Sequence, residues 1–133
     1  MKKILYTGYY AKHGRDPLAV AISAKAPSYF IGRWYLALAP SWDIINGIKY
    51  GNLDERGYTK AYLNLIINER KLDPYKIVDD LPDGSILLCY EKNDGSFCHR
   101  HIVAEWLERT TGVTVIEKPD PVLISPVDDL LIF

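Results

Sequence analysis

Residues 86–109 bring side chains capable of chemistry into close spacing. Both cysteines of the chain, Cys89 and Cys98, and two of its three histidines, His99 and His101, lie here with Glu91, Lys92 and Arg100. A thiol beside an imidazole and a guanidinium has a lowered pKa and can act as a nucleophile. Glu91 and His99 are of the types that serve as general base, and Arg100 offers a planar fork to phosphate. Two readings stand for Cys98: nucleophile, or small packed thiol. A phosphatase-like loop, with arginine six positions after the cysteine, does not fit, because Gly95 and Ala104 stand at those positions.

Metal chemistry fits poorly as well. Cys89, Cys98, His99 and His101 are ligand types, but their spacing is not that of a finger or ribbon. His99 and His101 diverge by about 200° on a helix, so one ion does not reach both. No metal is expected, and no phosphate-binding glycine loop calls for a cofactor.

The elements that must position these groups can be read around them. Ile86–Tyr90 is a short apolar run, as in a strand covered on both faces. Glu91–Ser96 is a polar turn carrying Asp94-Gly95, and Ser96 can cap the helix that follows. That helix end has unpaired N–H groups and suits an anion. Advancing by about 100° per residue puts Ile102, Val103, Trp106 and Thr110 on one side, with Leu107 at its edge. His99 falls in the middle of that side and Arg100 at its margin. His101 falls opposite, toward water, as a partner of Glu105. The plain alternative for His99 is a hydrogen bond to a loop carbonyl.

The run Cys89-x-Glu91-Lys92, then Cys98-His99-Arg100, then an apolar helix, resembles the signature of domain-of-unknown-function family 488. These are small prokaryotic α/β proteins. The resemblance implies that Glu91, Cys98, His99 and Arg100 line a site. It also implies an acid and a basic residue near the end of the second strand, then Pro and Ser. Lys25, Pro27 and Ser28 fill such places, whereas Ser23 stands where the acid is expected.

The length of 133 residues suits one domain with one core. An apolar fraction of 48% and a charged fraction of 25% are ordinary for a soluble globular protein. A net charge of −1 argues against coating nucleic acid by bulk attraction. Ten tyrosines and three tryptophans supply rings that fill cores or stack on ligands. No apolar run is long enough to span a membrane, and no secretory leader is evident, so a reducing cytoplasm is expected.

Along the chain, Lys3–Thr7 reads as a strand ended by Gly8. A loop rich in rings and cations follows: Tyr9, Tyr10, Lys12, His13 and Arg15. Leu18–Ser23 reads as a central strand and Trp34–Leu38 as a third. Ser41 opens a short helix, with no firm reading through Asn52. Asp54–Lys71 is the clearest helix, with Tyr58, Ala61, Tyr62, Leu65 and Ile66 on one face. Asp73-Pro74 caps a short helix over Tyr75–Leu81. Gly112 ends the last helix, and Val113–Ile116 returns as a parallel strand.

The expected fold is a single α/β domain, a three-layer sandwich over residues 1–117. Its mostly parallel sheet has four or five strands with helices on both faces. A tail, residues 118–133, packs on the domain or joins a second copy into a homodimer. Ligands in such sheets bind beyond the carboxyl ends of the strands. The expected function is therefore binding of a phosphorylated nucleotide-like molecule in a basic, aromatic pocket. Lys92, Arg100 and Arg15, with Lys12 and Lys25, would meet phosphate. Tyr9 or Tyr10 would stack, and Ser28, His99 and Glu91 would orient the rest. The alternatives are a hydrolase or glycosidase on a nucleotide or nucleic acid, with Glu91 or His99 as general base, and a nucleic-acid-associated module.

Overall fold

The computed structural model describes residues 3–90 and 97–119. Five strands form one sheet, all pairs parallel: β1 (Ile4–Tyr9), β2 (Ala19–Ala21), β3 (Arg33–Trp34), β4 (Ile86–Cys89) and β5 (Thr114–Glu117). The order is β3-β2-β4-β1-β5, so β4 inserts between the first two strands of the chain. Among the described residues five α-helices accompany them: α1 (Tyr10–His13), α2 (Trp42–Lys49), α3 (Glu55–Asn64), α4 (Pro74–Asp80) and α5 (His99–Thr111).

Alternation along the strands divides two cores. Leu5, Val20, Leu87 and Val115 face one way, against Ile44, Tyr62, Ile77, Val103 and Leu107 of α2 to α5. Ala19, Ala21, Ile86 and Leu88 face the other way, against Tyr10 of α1 and Phe30. Among the described residues the second face is covered by α1 and the loop carrying Phe30, so helices lie on both faces of the sheet, as expected. No described helix is long and apolar enough to cross a membrane.

Local chemistry starts and stops the helices. The Ser41 hydroxyl accepts from Ile44 N–H, the Asp54 carboxylate from Gly57 N–H and the Asp73 carboxylate from Tyr75 N–H. Pro74 opens α4, where no intrahelical donor is required. Gly112 ends α5 at φ 77°, a left-handed conformation that favours glycine.

Four sequence expectations are corrected. Gly8 does not end β1; the strand runs through it to Tyr9. A Cβ at Gly8 would stand 2.8 Å from His13 Cδ2, so glycine there serves close packing rather than a turn. The expected third strand is only Arg33–Trp34, followed by a 3-10 turn, Leu36–Leu38. The Tyr62 hydroxyl donates to Leu38 O at 2.6 Å, and Arg70 Nη1 to Ala37 O at 2.8 Å, which hold that turn against α3 and its extension. The long helix from Asp54 changes to a π-helical turn over Leu65–Glu69. Finally, the segment after β1 is not a plain loop but opens with α1. The tail beyond residue 119 and the turn at 91–96, including the expected Ser96 cap, lie outside the described residues.

Candidate active site at the carboxyl ends of the second and fourth strands

Because β4 lies beside β2, the chain leaving each strand arrives at the same place. A cavity of about 490 Å³ opens there. Trp42, Ile45 and Ile48 of α2, Tyr58 of α3, and Phe97 make an apolar wall. Cys89, Cys98 and His99 form the buried floor, while the exposed Lys25 and Tyr90 stand at the edge with Ser23, Ala24 and Pro40. Phe97 meets Tyr58 edge-on, with ring centres 5.0 Å apart. The Lys25 ammonium lies 5.6 Å from the centre of the Trp42 ring.

His99 is set by backbone. Its Nε2 is 2.7 Å from Ile22 O, and a carbonyl only accepts, so Nε2 carries the proton. In the neutral ring Nδ1 is then an acceptor, 4.0 Å from Cys98 Sγ. Burial holds this imidazole well below the usual histidine range, at about 4; the Ile22 bond opposes that shift and the Arg100 charge adds to it. Near neutral pH His99 is therefore an uncharged base facing sulfur. The hydrogen bond to a carbonyl and the inward position, set out above as alternatives, are both realised.

Cys98 and Cys89 are joined as a disulfide, with no free cysteine in the chain. This differs from the expectation of two thiols, and in this form Cys98 has no thiolate with which to attack. The two sulfurs and the His99 nitrogen lie within 4.8 Å of one another, a grouping of metal-ligand types. With both sulfurs bonded to each other, that grouping lacks the thiolates a soft metal requires.

Arg100 lies behind the floor and is fully buried. Its Nε and Nη2 each donate to Glu117 at 3.1 Å, a bidentate pair, and Nη1 donates to Cys89 Sγ at 3.2 Å. The Thr7 hydroxyl donates to the same carboxylate.

DUF488-N3a, described as the active DUF488-N3 subclade, matches residues 14–111. The chain belongs to the DUF488 family. No curated protein and no solved structure matches it.

In this DUF488 chain the expected site residues separate into three groups. Cys98, His99 and Lys25 share the cavity. Arg100, Tyr9, Tyr10, Lys12, Arg15 and Ser28 are not among its lining. Arg100 is committed to Glu117, because a guanidinium without solvent needs a carboxylate. Tyr9 and Tyr10 are 4% and 2% exposed, which leaves no face for stacking. Tyr10 packs on Phe30 and Tyr90, and its hydroxyl meets Ser23 Oγ; burial pushes its pKa up to about 12. Ser23, where an acid was expected, is thus a hydrogen-bonding partner, also donating to Lys25 O. Lys12 and Ser28 are exposed, and the exposed Arg15 stacks 4.6 Å over Tyr29. Glu91 and Lys92 lie outside the described residues. His101 stands 4.0 Å from Glu117, while Glu105 pairs with Arg109, correcting the expected His101–Glu105 pair.

Two features escaped the sequence reading. Glu117 ends β5 on the same face as the core residue Val115, and a carboxylate on that face signals a buried cation. Trp42, Tyr58 and Phe97 form the wall, and only Tyr58 stood out, as part of a helical stripe.

Proposed function

We propose that the cavity binds a small molecule that joins a planar ring to an anionic group, as a nucleotide does. The observation that supports this best is the pairing of an aromatic wall, Trp42, Tyr58 and Phe97, with an exposed cation, Lys25, among the described residues. A ring stacks on such walls at roughly 1–3 kcal/mol per base. The amino end of α5 borders the same space through Cys98 and favours negative charge. A volume of about 490 Å³ falls in the range of small-ligand sites. Of the cations expected to meet phosphate, Lys25 keeps that role in this reading, whereas Arg100, Arg15 and Lys12 do not.

The test is calorimetric titration with a panel of nucleoside monophosphates, the matching nucleosides and inorganic phosphate. Ring-plus-phosphate compounds should bind more tightly than either part. Lys25→Ala should weaken binding about tenfold and Trp42→Ala about tenfold or more. Absence of binding at millimolar ligand, or affinity indifferent to both substitutions, would reject the reading.

A second reading is turnover of that ligand. It draws on the description of the subclade as active and on the neutral His99, whose Nδ1 is an available base. Chromatography of the nucleotide panel after incubation separates the two, since a binder returns its ligand unchanged.

A further inference from the structure

We propose that Cys89 and Cys98 form a thiol–disulfide exchange pair that reacts with a small dithiol or disulfide entering the cavity, with Cys98 as the sulfur attacked from outside and Cys89 as its resolving partner. This stands apart from the ring-and-anion ligand and does not depend on it.

Both sulfurs line the cavity, so a small reagent reaches them without opening the core. Access alone does not choose between them; the neighbours do. Arg100 Nη1–H donates to Cys89 Sγ at 3.2 Å, so a charge-assisted donor already waits on the sulfur that would leave as thiolate. Cys98 instead has the unprotonated Nδ1 of His99 at 4.0 Å. A disulfide that only braced the fold would need neither group. This bridge spans 9 positions, from the last residue of β4 to the residue before α5, so it ties no distant parts of the chain together.

The electrons balance as follows. A thiolate of the dithiol attacks Cys98 Sγ and forms a mixed disulfide. The Cys89–Cys98 bond breaks, and its electron pair leaves on Cys89 Sγ, held by Arg100. The second thiolate of the reagent attacks its own first sulfur, closes the reagent's disulfide and releases Cys98. Two protons then complete the protein thiols, so the protein gains two electrons and the dithiol loses them. In reverse, Cys98 attacks a small disulfide; His99 Nδ1 accepts its proton as the new S–S bond forms and passes it to the departing thiolate, and Cys89 then displaces the second thiolate and closes the bridge.

The test uses the full chain, reduced with dithiothreitol, freed of it, and exposed to hydroxyethyl disulfide. Peptide mass mapping then locates the adduct. Cys89→Ser should hold a stable mixed disulfide on Cys98. Cys98→Ser should react at Cys89 at least tenfold more slowly. The unsubstituted protein should pass through the adduct and end with the internal bridge. Circular dichroism checks that each variant is folded. A measurement without substitution backs these: limiting iodoacetamide on the reduced native protein should label Cys98 ahead of Cys89. The opposite order, labelling only after denaturation, or an unsubstituted protein that keeps the adduct would each overturn the assignment.

Discussion

Glu117→Gln should destabilise the protein far more than its surface position at a strand end suggests. The Arg100 side chain is 0% exposed and that of Glu117 18%. Both lateral guanidinium donors end on this carboxylate, at 3.1 Å each. An amide can accept from one of them but turns an N–H₂ group toward the other, so one buried guanidinium donor loses its acceptor on residue 117. Breaking a buried pair from one side costs roughly 3–5 kcal/mol. The partial exposure of Glu117 puts the expected cost near the lower end, about 3 kcal/mol, because water screens what is lost. Against a total stability on the order of 5–15 kcal/mol, that is a large share.

Urea unfolding followed by circular dichroism measures it. With a slope of about 2 kcal/mol per molar urea, the midpoint should fall by about 1.5 M. Glu105→Gln is the control, since Glu105 pairs with Arg109 at 2.8 Å but the two side chains are 64% and 78% exposed. That change should move the midpoint by no more than about 0.3 M, as surface pairs contribute little. Equal midpoints for the two variants would refute the claim that Arg100 is a buried charge tied to Glu117. The same geometry changes the meaning of Arg100→Ala: lost ligand binding in that variant would report damage to the fold rather than a missing phosphate contact.

Three further outcomes follow from other contacts. His99 has a pKa of about 4 when folded, below the value near 6.5 of the unfolded chain, so the unfolded state binds more protons between those values. Its contribution is therefore complete above about pH 6.5 and is lost as pH falls toward 4, by roughly 3 kcal/mol in all. Comparing urea midpoints of the parent and His99→Gln across pH 4–7 should show a shallower pH dependence in the variant, and parallel curves would contradict the assignment. Tyr62→Phe should cost about 1–3 kcal/mol by urea titration, because it leaves the buried Leu38 carbonyl without the hydroxyl now at 2.6 Å. Gly8→Ala should cost about 1–3 kcal/mol in the same assay, since its Cβ would press on His13 at 2.8 Å and Ile86 at 3.1 Å.

How far the sequence could be read depended on whether the deciding contact was local. The inward direction of His99 needs only the helical period and the apolar neighbours Ile102, Val103 and Trp106, and it holds. Ser41, Asp54 and Asp73 each declare a helix start by a side chain that reaches two or three residues onward. Arg100 was misplaced because the period puts it at a margin. What draws it inward is Glu117 on the following strand, a partner 17 positions away. Tyr9 and Tyr10 looked like ligand stackers because an aromatic pair after a strand is ambiguous. Only the second core, with Phe30 and Tyr90 around Tyr10, shows that the latter is filling. The π-helical turn at Leu65–Glu69 leaves no mark in the apolar pattern, and neither does the left-handed Lys71 at φ 52° that follows it.

The insertion of β4 accounts for the site as a whole. Ala21 pairs with Leu88, and Ile22 N–H continues the ladder to Leu88 O at 3.2 Å. That leaves Ile22 O pointing beyond the strand, where His99 Nε2 takes it, 77 positions away in sequence. One hydrogen bond thus links the exit of β2 to the start of α5 and selects the tautomer with Nδ1 toward the sulfurs. The same helix turn carries Arg100 down to Glu117 of β5. Two consecutive residues therefore fasten α5 to β2, on one side of β4, and to β5, beyond β1 on the other; the last residue of β4 is Cys89. Shift β4 by one residue in its slot and Cys89 leaves the face it shares with His99 and Arg100, because side chains alternate along a strand. The register of a single buried strand, Ile86–Cys89, is what makes the cavity floor a unit.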